Sequence, residues 1–97
     1  MNRFIIVSLM LLILGATLCE GGEAMCHQRT GAHTCASMDC EPYMYVRPDH
    51  YYPCDCFEIE RLPHKTKKWY HIETSKGVYG YVQDVHCWAS VPHCDDL

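Results

Sequence analysis

Cysteine and histidine are the residues of this chain best equipped for chemistry, and their spacing narrows which chemistry. Eight cysteines lie at positions 19, 26, 35, 40, 54, 56, 87 and 94, beside seven histidines. Several adjoin: Cys26-His27, His33-Thr34-Cys35, His86-Cys87 and His93-Cys94. Structural zinc sites do combine the two residue types. Here no Cys-x-x-Cys occurs and oxidation competes for the thiols, so neither a metal nor another cofactor is expected. Cys–His catalysis needs the two side chains within hydrogen-bond reach. Neighbours on a strand point to opposite faces, so adjacency alone does not supply it. Ser37, Ser75 and Ser90 sit in no nucleophile motif, and Glu58 with Glu60 reads as a solvated strand face. No enzyme is expected.

The remaining use for the cysteines is cross-linking, and the N-terminus supports it. Arg3, the apolar run Phe4 to Leu14 and Thr17-Leu18-Cys19 form a secretory signal over residues 1–19. The run is shorter than the roughly 20 residues of a membrane span, so no membrane insertion is expected. Secretion and this cysteine density together read as a disulfide framework in an oxidising compartment. Cys26, Cys35, Cys40, Cys54, Cys56, Cys87 and Cys94 are its expected members, with connectivity open. A cut after Cys19 leaves an odd number, hence a free thiol or a disulfide-linked homodimer. A cut after Ala16 keeps all eight but places Leu14 at the unfavourable −3 position. The alternation around Cys54-Asp55-Cys56 places both sulfurs on one strand face, bonded to different partners.

The formal net charge is −4, and removal of Arg3 makes the mature chain more negative by one. That excludes a basic nucleic-acid face. So short a mature chain makes one domain, whose bridges supplement a limited core.

Two parts of that domain differ in composition. Residues 20–40 are polar, lack apolar periodicity and read as an irregular, bridge-pinned segment. Residues 41–97 turn toward strand formers. Tyr43-Met44-Tyr45-Val46 is a short strand, Pro48-Asp49-His50 a turn, and Cys54 to Leu62 alternates with period two until Pro63. Trp69 to Thr74 and Val78 to Val82 flank Ser75-Lys76-Gly77, a loop suited to a type I turn closed by a glycine bulge. Gly80 inside the second run marks a bulge or a close approach. The fold expected is mainly β.

The hairpin sequence W-Y-H-I-E-T-S-K-G-V-Y-G-Y-V, Trp69 to Val82, resembles the bacterial-type Src homology 3-like domain. Tyr45-Val46-Arg47 with Tyr52-Pro53 is similar to that family's opening strand and loop. Three departures stand beside the match: Pro48 and Asp49 replace a glycine, Cys54 and Cys56 replace aliphatic residues, and Cys54 to Lys68 is short for two strands and a loop. The resemblance therefore implies a shortened, disulfide-stapled partial barrel whose activity is binding.

Binding candidates follow from the aromatics and the one basic cluster. Tyr51 and Tyr52 lie in a proline-flanked stretch, and Tyr and Trp suit surfaces that are apolar yet wet. His64-Lys65-Thr66-Lys67-Lys68 precedes Trp69 and offers Lys65, Lys67 and Lys68 to an acidic partner. Trp69, which opens the following strand, reads as core and is kept as a further binding candidate. The expectation is a secreted, non-enzymatic effector of toxin-like type that binds an extracellular protein receptor. Recognition of a microbial wall or glycan, and a structural role in a secretion, are the alternatives.

Overall fold

A computed structural model describes residues 22–97; the expected signal segment and Cys19 lie outside the described residues. Seven strands carry the fold: β1 Gly22–Cys26, β2 Thr30–His33, β3 Pro42–Val46, β4 Tyr51–Arg61, β5 Thr66–Ser75, β6 Val78–Gln83 and β7 Cys87–Ala89. They form one sheet in the order β3-β2-β6-β5-β4-β1-β7, and all its strand pairs are antiparallel. A single 3-10 turn, Cys94–Asp96, closes the chain. The mainly β expectation is met. No helix among the described residues is long and apolar enough to cross a membrane.

The long β4 and β5 form the spine, and the β5–β6 hairpin stands where the sequence placed it. Gly77 takes φ +76°, the left-handed region that glycine enters without steric cost. Gly80 marks a close approach. A Cβ there would lie 2.8 Å from the Tyr43 hydroxyl oxygen. The turn at Pro48-Asp49 also forms, with Asp49 at φ 59° and its N–H bonded to the Cys26 carbonyl at 2.9 Å.

The segment expected to be irregular differs from that reading. It supplies β1, seated between β4 and β7, and β2, seated between β3 and β6. Neither strand advertises itself, because Ala24, Gly31 and Ala32 are small and weakly strand-forming. β1 is paired along both edges, and β2 along β3 with one further pair, His33 to Tyr81, on β6; that tertiary pairing overrides propensity.

One sheet face carries the core, where Ala24, Val46, Tyr52, Tyr70, Ile72 and Val82 pack with the Cys26–Cys87 pair. Three disulfides staple it: Cys26–Cys87, Cys35–Cys40 and Cys56–Cys94. Cys54 is the one free cysteine among the described residues, buried at 2% exposure. Cys54, expected in a bridge, joins none among the described residues, where Cys26 and Cys87, which share its core cluster, are bonded to each other. Burial, and after it the Asp55 charge, pushes the Cys54 thiol pKa up to about 12, against the lowering effect of a backbone hydrogen bond at Cys56. So deep a thiol is badly placed to link two chains.

Candidate functional site

The site is built by a break in the β4–β5 register. Cys54 stands opposite Ile72, but Cys56 stands opposite His71, so Asp55 is an extra residue in β4. Such a bulge brings its two residues toward the same side as the one they oppose. Cys54 therefore remains in the core, while Asp55 and Cys56 join His71 on the outer face, their ligand atoms within 4.8 Å of one another. The two cysteines do have different fates, but because they face opposite ways rather than sharing a face.

His71 is the hub of that face. Its Nδ1–H donates to Asp55 Oδ1 at 2.7 Å. The Tyr79 ring stacks on the imidazole at 5.0 Å and 6°, and Tyr81 leans against it at 5.0 Å. The Tyr81 hydroxyl donates to Glu58 Oε2 at 3.3 Å. Burial, then the Glu58 and Asp55 carboxylates, pushes that hydroxyl above its ordinary pKa. A histidine oriented by a carboxylate is half of a nucleophilic triad. Its neighbouring sulfur, Cys56, is committed to Cys94. That bond also withdraws the thiolate a metal would require, leaving Asp55 and His71 as the donors of the cluster.

Beside this hub the outer face is concave. One hollow of about 290 Å³ is lined by Gly22, Pro53, Cys54, Asp55, His71, Glu73 and Tyr79. A second, of about 310 Å³, is lined by His50, Tyr51, Tyr52, Pro53, Glu73, Thr74, Ser75 and Lys76. Pro53 and Glu73 line both, so the two hollows adjoin, and together they are called the groove. Tyr51 and Tyr79 stand on it, 59% and 51% exposed. Cross-strand pairing continues the surface from Tyr51 to Met25 and on to Trp88, which is 67% exposed.

Of the residues singled out from sequence, only Tyr51 lies openly on this groove. Tyr52 follows it on β4 and so points to the other face, where it is core and its hydroxyl accepts the Arg47 N–H at 3.0 Å. The basic cluster does not act as a patch. Lys67 bonds Gln83 Oε1 at 3.2 Å on one face, whereas Lys68 lies over the Phe57 ring, 4.3 Å from its centroid, on the other. Lys65 is exposed in the preceding loop.

Trp69 is fully buried although it belongs to the outer face, because the Cys35–Cys40 loop covers it. His33 meets its ring edge-on at 4.8 Å, and His33 Nδ1–H donates to the Cys40 carbonyl at 2.6 Å. Glu60 ties the cover down. It accepts Trp69 Nε1–H at 3.0 Å, Ser37 Oγ–H at 2.9 Å and the Met38 N–H at 3.3 Å. Burial pushes the Glu60 carboxyl up, but those hydrogen bonds and the Lys67 charge outweigh it and leave its pKa below the ordinary 4.5. A lowered carboxyl stabilises the fold above its ordinary pKa and loses that contribution as pH falls through the folded value. Acid titration of a Trp88→Phe protein is therefore expected to show a Trp69 fluorescence transition below pH 4.5, absent when Glu60→Gln is added. An unchanged transition in Glu60→Gln would remove Glu60 from this role.

Asp55, His71, Glu73 and Tyr79 were not singled out from sequence. Strand alternation puts His71 and Glu73 on one face, but nothing local announces the bulge that delivers Asp55 to them. No family model, no curated protein and no solved structure matches this chain.

Proposed function

We propose that this is a secreted, non-enzymatic binding protein of the effector type, and that the outer-face groove is its contact surface. The observation that carries the reading is the exposure of Tyr51 and Tyr79 along a concave surface of a sheet in a domain that carries three disulfides. Rigid aromatic side chains lose little entropy on contact and bury much area. The strand pairing of β4 with β5 and of β5 with β6 sets Asp55, His71, Glu73 and Tyr79 side by side before a partner arrives. Aromatics on a small stapled sheet also accord with the Src homology 3-like reading of the Trp69–Val82 hairpin, as a shortened relative. Commitment of the Cys56 sulfur, beside the Asp55–His71 pair, to Cys94 accords with binding rather than catalysis.

The test is saturation binding of labelled, fully oxidised protein to cultured animal cells, isolated matrix and microbial cell wall. Saturable binding to cells, lowered about tenfold or more by joint Tyr51→Ala and Tyr79→Ala, is the expected result. Loss of two central aromatics supports that magnitude. Saturation only on cell wall would favour the recognition-module reading. No saturation anywhere, or no effect of the tyrosine variants, overturns the groove as contact surface.

A further inference from the structure

We infer that the groove takes an extended, basic segment of a protein partner, with a lysine or arginine side chain seated in the hollow between Asp55 and Glu73. The inference rests on the proposed binding function and names the chemistry of the partner. Charge selects that occupant. The hollow beside His71 is lined by two carboxylates, Asp55 and Glu73, and by no lysine or arginine. Glu23 adds a third, since it lies opposite Pro53 on β1 and is exposed. Lys76, at the hairpin end, is the one lysine or arginine along the groove, beside the imidazoles of His50 and His71.

Shape and aromatic placement select the same occupant. The Asp55 side chain is 47% exposed even with His71 bonded to one oxygen. Glu73 spends one oxygen on the Gly77 N–H at 2.8 Å, and each carboxylate keeps a second acceptor. A guanidinium or ammonium between them gains charge-assisted hydrogen bonds. The Tyr79 ring, half exposed, offers that cation a π face, and Tyr51 offers another further along. Alternate side chains of an extended peptide point to the same side, so a strand laid along the groove presents its basic residues repeatedly to this wall. A neutral glycan would leave the carboxylates without a counter-charge.

The test is calorimetric titration of the oxidised protein with an alternating lysine–alanine peptide, beside an alternating glutamate–alanine peptide and a neutral chito-oligosaccharide. One-to-one binding of the lysine peptide is expected, weakening as salt rises. Asp55→Asn and Glu73→Gln should each weaken it about threefold to fivefold, and Lys65→Ala should not. Both substitutions lie on a solvent-facing surface, and the thermal midpoint of each variant checks that the fold persists. Equal affinity in wild type and both variants overturns the inference, as does preference for the glutamate peptide. Oligosaccharide binding in place of the lysine peptide also overturns it, yet leaves the groove as a binding surface. Failure of the surface-binding panel instead removes the underlying function.

Discussion

Replacing Cys26 and Cys87 together by alanine is expected to cost about 4 kcal/mol of folding stability, the largest effect of any bridge. The pair joins residues 61 apart in sequence, so its loss releases nearly the whole described chain in the unfolded state. Cys35–Cys40 spans only 5 and is worth about 2 kcal/mol by the same loop-closure reasoning. For a domain whose total stability is on the order of 5–15 kcal/mol, the first loss threatens folding and the second does not. Cys26–Cys87 also joins β1 to β7 at the edge of the sheet, so strand pairing there loosens with it. Equilibrium denaturation of the oxidised variants measures both. Equal losses for the two bridges would show that chain entropy does not set their ranking.

Trp69→Ala should cost about 3–5 kcal/mol, the scale of removing a fully buried large aromatic. Its ring fills the space between β5 and the Cys35–Cys40 loop, with 0% exposure. The substitution also deprives Glu60 of a donor, so the carboxylate loses part of its hold on the cover. Trp88→Ala is the contrasting case. That ring is 67% exposed on a sheet edge, and its loss should stay within about 0.5 kcal/mol. Denaturant midpoints for the two variants check the difference directly; a mild Trp69→Ala would mean that the loop collapses onto the vacated space.

These contrasts show what was legible in the sequence. The β5–β6 hairpin could be read because Gly77 is demanded by a positive φ and both flanks are strongly strand-forming. The turn at Asp49 was legible for a similar reason, since proline and aspartate encode it locally. β1 and β2 were not, because long-range pairing rather than propensity makes them strands. The candidate site was harder still. A period-two reading of Cys54 to Leu62 puts every second side chain on one face, whereas one extra residue at Asp55 reverses the assignment between Cys54 and Cys56. That single bulge hides a thiol in the core and brings Asp55 to His71. Tyr51 was legible as an exposed aromatic; its separation from Tyr52 followed only once both were known to sit on a strand. Trp69 shows the opposite case, an outer-face residue buried by a loop that sequence gives no reason to place there.

Binding in the outer-face groove can be read residue by residue in a two-dimensional NMR titration. Isotopically labelled, oxidised protein would be titrated with the extracellular preparation on which it saturates. The largest backbone shifts are expected at Tyr51, Asp55, His71, Glu73 and Tyr79, with the core strand positions around Ile72 and Val82 moving less. Shifts gathered instead around Lys65, or on β3 at the far edge of the sheet, with the groove unmoved, would contradict it.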